Sequence, residues 1–133
     1  MRLSRTDTGA VAAFIGQVRD LNDGSNVTSL TLEHYPGMTE KALEGIVDKT
    51  KQRWDIFDVL VIHRVGTLYP TDQIVLVVVG GAHRGETLAA CQYIMDYLKT
   101  DAPFWKKEQT PSGERWVEVK VSDDAARDRW VKK

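Results

Sequence analysis

Two lysines bracket a helix break. In the stretch Tyr93-Ile-Met-Asp-Tyr-Leu-Lys-Thr-Asp-Ala-Pro-Phe-Trp-Lys106, the residues Leu88, Cys91, Met95 and Leu98 recur at three- and four-residue steps, which points one helical stripe at a core. Pro103 cannot continue that helix, because it lacks an N–H and holds Ala102 in extended conformations. Lys99 therefore belongs to the last helical turn and Lys106 lies beyond it. A change of chain direction between them can bring both ammonium groups to one pocket, where they would hold an anion or stabilise negative charge developing in a reaction. The same spacing also suits two solvated surface lysines.

A second candidate is Gly80-Gly-Ala-His-Arg-Gly85-Glu86-Thr87, which has the glycine spacing of a phosphate-binding P-loop between an apolar run and a helix. It carries Glu86 where that motif needs a lysine to reach the β- and γ-phosphates, so a nucleotide hydrolase is not expected. What remains is a helix start whose N–H groups favour an anion, with His83 and Arg84 beside it as donors. The plainer reading is an exposed loop arginine and a structural histidine. Arg19, closing the first apolar run, is either solvated or the completion of an anion pocket. His34, His63 and His83 lie in separate elements without ligand spacing, and no metal site is expected. Cys91 falls on the apolar helical stripe and reads as a buried thiol rather than a nucleophile.

The elements that must position these residues follow from the apolar pattern. Ala10–Arg19 reads as a strand covered on both faces, Val27–Tyr35 as a strand, and Thr39 as the N-cap of a helix running to about Trp54. Phe57–Val65 and Ile74–Gly80 read as strands separated by Gly66-Thr-Leu-Tyr-Pro-Thr-Asp72, the second being the most continuously apolar run and hence central. A helix over Glu86–Lys99 follows. Phe104–Glu108 and Arg115–Val121 then form a hairpin across Thr110–Glu114, and Asp123–Trp130 has a helical tendency. This order argues for an α+β fold with helices packed on a largely antiparallel sheet.

With 133 residues the chain is expected to form a single domain, 1–133, with a core that needs neither disulfide nor metal. A net charge of -1 gives no basic field for nucleic acid, so an anion site must be local. The single cysteine excludes an internal disulfide and fits a reducing cytosol, and no apolar run resembles a signal peptide or a membrane span.

The runs Leu32-Glu-His-Tyr-Pro-Gly-Met38, Ile62-His-Arg-Val-Gly66, Ala82-His-Arg84, Tyr97-Leu-Lys-Thr100 and Ala102-Pro-Phe-Trp-Lys106, in this order and spacing, resemble the large, catalytic subunit family of molybdopterin synthase over about Gly9 to Trp130. The resemblance implies an α/β-hammerhead type of fold and a cytoplasmic sulfurtransferase of molybdenum cofactor biosynthesis that needs no cofactor. Such an enzyme converts cyclic pyranopterin monophosphate (precursor Z) to molybdopterin. The sulfur arrives as a C-terminal Gly-Gly thiocarboxylate on a small ubiquitin-like sulfur-carrier subunit, and two large subunits form the homodimer at the centre of a heterotetramer.

Carried over residue by residue, the family's essential lysines fall on Lys99 and Lys106. The substrate-binding segments fall on Gln17, Val18 and Arg19, on His83 and Arg84, and on Lys107 and Glu108. Lys120 stands where the family pattern has an arginine that reaches the neighbouring subunit's pocket; it keeps the charge without the bidentate fork. Crowded by Lys106 and Arg84, Lys99 is expected to yield its proton more readily and so to serve as base or nucleophile. The alternative is a non-catalytic module that captures the C-terminal tail of a ubiquitin-like protein by strand pairing and carboxylate binding.

Overall fold

The computed structural model describes residues 6–22, 25–34, 36–100, 104–117 and 130. In chain order their elements are β1 (Ala10–Gln17), β2 (Leu21–Asn22), β3 (Ser25–Asn26), β4 (Ser29–His34), α1 (Met38–Arg53), β5 (Ile56–His63), β6 (Gly66–Leu68), β7 (Gln73–Gly81), α2 (Arg84–Thr100), β8 (Phe104–Thr110) and β9 (Gly113–Val117). Every strand pairing is antiparallel, and the strands form a sheet ordered β1-β7-β5, a sheet ordered β6-β4-β8-β9, and the short β2-β3 ribbon. This is the α+β arrangement expected from the sequence.

The apolar run of β7 makes it the central strand of the first sheet. Its alternate residues Val75, Val77 and Val79 face α2 and join Ala12, Ala90, Ile94 and Leu98 in the main core. The helical stripe anticipated for α2 is thus used, with Ile94 fully buried and Leu88 left outside it at 59% exposure. The opposite face of this sheet carries Val11, Ala13 and Ile15 of β1, Leu76 and Val78 of β7, and Leu60 and Ile62 of β5, aligned by the register. Val11, Ile15 and Ile62 are each about half exposed, at 50%, 49% and 50%. The expectation that the first strand is covered on both faces is therefore corrected: β1 is an edge strand whose second face no described element covers.

A smaller core of Val18, Leu30, Leu32 and Leu68 lies under the second sheet, and Ile74 packs against both cores. Three local readings change. Gly66–Leu68, expected as loop, pairs with β4 as a strand, Leu68 being buried opposite Leu30. The N-cap of α1 is Gly37, whose φ of 86° suits glycine and whose N–H donates to the Glu40 carboxylate; Thr39 is buried two residues later and its hydroxyl has no hydrogen-bond partner among the described residues. Strand pairing in the last hairpin begins at Gly113, where φ is 120°. The expected helix at Asp123–Trp130, and Lys120, lie outside the described residues except for Trp130. That tryptophan donates from Nε1 to Asp96 (2.7 Å), accepts from Arg53 at its carbonyl (3.0 Å), and packs edge-on against Trp54 and Tyr93, tying the chain to both helices.

Candidate functional site

A cavity of about 370 Å³ opens where the two cores meet. Its floor is one row across the first sheet, Gly16, Val75 and His63, each the register partner of the next. Glycine is required there, because a Cβ on residue 16 would stand 2.9 Å from Val75 Cγ1. Phe14, Ile74, Met95 and Leu98 supply apolar wall, while Gln17, Arg19, His63, Lys99 and Lys106 supply the polar side chains among the described residues that line it.

Each cation arrives from a different element. β1 ends with a register irregularity between Gly16 and Gln17, after which the Val18 N–H donates to the Asp72 carbonyl and its carbonyl accepts from Thr71 N–H, both at 2.9 Å. The turn that grips it is itself fixed, since Tyr69 N–H donates to the Asp72 carboxylate and Thr71 holds a left-handed φ of 77° unusual for a β-branched residue. Arg19 is thereby set at the cavity. Leu98 is buried in the last turn of α2, and Lys99, one helical step further round, is exposed and reaches the opening. Lys106 is the cross-strand partner of buried Leu32 on β8, so its stem follows the face turned to the core and its head enters from the second sheet.

Among the described residues, three cations and no carboxylate thus line one pocket in a chain whose net charge is -1. Such a pocket favours an anion, and its apolar walls keep the local dielectric low enough for fixed charges to matter. His63 adds a neutral donor and acceptor. Its pKa lies below the ordinary 6.5, first because burial penalises the imidazolium, with Lys106 and His34 adding to the depression and a hydrogen bond to Arg64 opposing it.

Lys99 and Lys106, on either side of the helix break, thus line one cavity with Gln17 and Arg19, Lys99 remaining exposed at its opening. The remaining candidates are placed elsewhere. Val18 turns its side chain into the smaller core, and its N–H and carbonyl both bond the 71–72 turn. Lys107 alternates to the other face of β8, where it pairs with Glu114 at 3.3 Å and lies 5.1 Å from the centre of the Trp116 ring. Glu108 is buried and accepts from Arg115 Nε at 2.9 Å, a structural ion pair.

His83 and Arg84 are exposed at the start of α2, and the fifteen steps from Arg84 to Lys99 span roughly 22 Å at the helical rise. They do not line this chain's cavity, and Arg84 does not crowd Lys99. Nor is the glycine-rich turn a phosphate cradle. A Cβ at Gly81 would stand 2.5 Å from the Thr87 hydroxyl, which itself donates to the His83 carbonyl at 2.6 Å, and Glu86 accepts from the Asp55 N–H at 3.2 Å. Gly81 serves close packing, while a Cβ at Gly85 would meet nothing within 4 Å. Cys91 is buried, and burial pushes its thiol pKa up, away from nucleophilic use.

His63 also lines the cavity, although in sequence it stands apart from the other candidates and only the fold brings it there. Its signal lay in Ile62-His-Arg-Val-Gly66, the end of a strand that faces the same core as Val75.

A family model described as "MoaE protein" matches residues 1–101. The molybdopterin synthase catalytic subunit of Ralstonia nicotianae is 65% identical over 130 residues, covering 98% of this chain and 74% of that protein. Among solved structures, a molybdopterin biosynthesis MoaE protein from Burkholderia ambifaria superposes with a TM-score of 0.78 at 56% identity, covering 93% of this chain and 81% of that one. Molybdopterin synthase from Staphylococcus aureus gives a TM-score of 0.81 at 33% identity, with coverages of 86% and 83%.

Proposed function

The chain belongs to the MoaE family of molybdopterin synthase catalytic subunits, which are sulfur-transferring enzymes, and on that premise we propose that the cavity of Arg19, Lys99 and Lys106 is where sulfur transfer takes place. The sulfur donor is the C-terminal thiocarboxylate of a small ubiquitin-like subunit, whose Gly-Gly tail enters the cavity, and the acceptor is cyclic pyranopterin monophosphate. We assign the reaction to the cytoplasm on the family resemblance. No described helix is long and apolar enough to cross a membrane.

The observation that carries this reading is the convergence of two lysines from either side of a helix break on one pocket that no described carboxylate lines. Attack by the thiocarboxylate sulfur shifts negative charge among sulfur, carbonyl oxygen and phosphate. Fixed ammonium and guanidinium groups in a partly apolar pocket stabilise that charge as it moves. Lys99 and Lys106 are assigned to the reacting atoms, and Arg19, with Gln17, to the phosphate and pterin, where the guanidinium offers paired donors.

His83 and Arg84 are assigned to the substrate of a second copy. In the central dimer, the uncovered apolar face of the first sheet is the surface two copies would share, and a two-fold axis across the strands reverses their direction. The nine residues of β7 span about 30 Å, so the reversal carries the His83–Arg84 turn of one copy toward the Val75 end of the other.

The deciding assay combines the protein, small subunit bearing a C-terminal thiocarboxylate, and cyclic pyranopterin monophosphate, with dithiolene product measured. Lys99→Ala is expected to lower turnover on the order of 10²–10³-fold or more while leaving small-subunit affinity within about threefold. A wild type that binds the tail yet forms no product would instead support the tail-capture module.

A further inference from the structure

Of the three cavity cations, Lys99 stands in α2 and Lys106 in β8, whereas Arg19 lies beyond the end of β1, in neither helix nor strand. A long side chain on such a segment loses its direction unless the backbone beneath it is held. Two clamps hold it. At the β1–β7 irregularity Gly16 pairs with Val75 and Gln17 with Gln73, so Ile74 is the extra residue and the ladder ends there. The turn before β7 then takes over, with the Val18 N–H on the Asp72 carbonyl and the Thr71 N–H on the Val18 carbonyl. On the far side, the Asp20 carbonyl accepts from the Val27 N–H at 2.8 Å. Arg19 lies between.

The first clamp is a turn in a costly conformation. Tyr69, Pro70, Thr71 and Asp72 are closed by the Asp72 N–H on the Tyr69 carbonyl at 2.9 Å, with proline second and a left-handed residue third. Glycine ordinarily takes that third place; here it is Thr71, exposed and at a φ of 77°. A β-branched residue stays left-handed only where its surroundings over-determine it, and such outliers gather at functional sites. Asp72 supplies the constraint, because its carboxylate accepts from the Tyr69 N–H at 2.9 Å across the turn that its own N–H closes.

We propose that Asp72 is a positioning residue for Arg19: its carboxylate locks the 69–72 turn, the turn grips the Val18 backbone, and the Arg19 side chain is thereby directed to the cavity. Asp72 does not itself line the cavity and acts through the chain. The inference rests on the sulfur-transfer reading, with Arg19 on the phosphate and pterin, for its consequence in turnover; the grip on the backbone is tested without it. The device needs an acceptor oxygen on residue 72 rather than a charge, which separates it from an ion pair with Arg19.

The test has two arms. In the turnover assay, Asp72→Ala is expected to lower kcat/KM for cyclic pyranopterin monophosphate about tenfold or more, with small-subunit affinity within about twofold. Asp72→Asn, which keeps an oxygen for the Tyr69 N–H, should recover most of that loss, and Asp72→Glu, which keeps the charge but displaces the oxygen, should recover less. Placed on Arg19→Ala, Asp72→Ala should cost less than about a further twofold, because its effect passes through the guanidinium. The second arm follows amide hydrogen exchange by NMR. Protection of the Val18 and Thr71 N–H groups should fall about tenfold or more in Asp72→Ala and stay near wild type in Asp72→Asn. Should Asp72→Ala not fold, Asp72→Glu takes its place in both arms. An unchanged kcat/KM in Asp72→Ala, recovery by Asp72→Glu but not by Asp72→Asn, a full additional loss on Arg19→Ala, or protection indifferent to Asp72→Ala would each overturn the proposal. If the wild type transfers no sulfur at all, the functional reading fails, and the exchange arm still decides whether Asp72 holds the backbone beside Arg19.

Discussion

The two ends of the β7–α2 unit are both basic and both abut β1, yet they are built for different purposes. At one end, Gly80 to Thr87 carries a conspicuous glycine pattern with a histidine and an arginine, but the backbone there is packed too closely to admit a Cβ at Gly81, and the two side chains stand outside. At the other end, the start of β7 and the last turn of α2 carry no local pattern, yet Val75 and Leu98 wall the cavity and Lys99 lies at its opening. Gly81 at the first end records how near the Thr87 side chain comes to the turn. Chemistry at the second depends on Lys99 and Lys106, from consecutive elements, meeting Arg19 from the far end of the chain.

The comparison breaks most sharply if both ends serve one reaction through two copies. Arg84→Ala and Lys99→Ala should each reduce turnover by about 10²-fold or more as homodimers. Mixed in equal amounts and allowed to exchange, they should recover about a quarter of wild-type turnover, because half the dimers are mixed and one of their two pockets has its own Lys99 and its neighbour's Arg84. Recovery is read in the dithiolene assay against the unmixed variants. No recovery, with mixed dimers shown by native mass spectrometry, would assign Arg84 to its own chain or to no substrate.

What could be read from the sequence divides along the same line. The uninterrupted valines of β7 announced a central strand, and the Leu88-to-Leu98 stripe announced α2, because hydrophobic periodicity acts over a few residues. The pairing of Lys99 with Lys106 was suggested by Pro103, but spacing alone left surface lysines open; only the approach of β8 beside β4 brings Lys106 to the cavity. The family resemblance implied substrate contacts for Val18 and Lys107; the Val18 side chain lies in the smaller core, and strand alternation puts Lys107 on the face of β8 away from Lys106. Leu68 was hidden in a turn-rich segment because three residues are too few to show a period.

Gly81→Ala sharpens the packing half of the comparison. The new methyl must push on the Thr87 hydroxyl 2.5 Å away, so the expected destabilisation is roughly 1–3 kcal/mol by thermal or denaturant unfolding. Turnover per folded molecule should change little beyond what the shifted Arg84 imposes. A stability within error of the wild type would mean that the turn has room, and that its glycine was reserved for a ligand.

The smallest effect concerns two adjacent residues of β8. Glu108 is buried against Arg115, so Glu108→Gln removes the charge that Arg115 answers and should cost about 1–3 kcal/mol, even though Arg115 is itself 36% exposed. Lys107 pairs with a Glu114 that is 59% exposed, and its ammonium lies over a half-exposed Trp116. Water and salt screen such a pair, and Lys107→Ala should change stability by less than about 1 kcal/mol. Because Lys107 faces away from the cavity that Lys106 enters, Lys107→Ala should also leave kcat within about twofold, while Lys106→Ala removes most of it. Two lysines one residue apart, identical in charge, would then differ in turnover by orders of magnitude solely through the alternation of a strand. A Lys107→Ala variant as inactive as Lys106→Ala would contradict that face assignment and move the working surface of β8 to its other side.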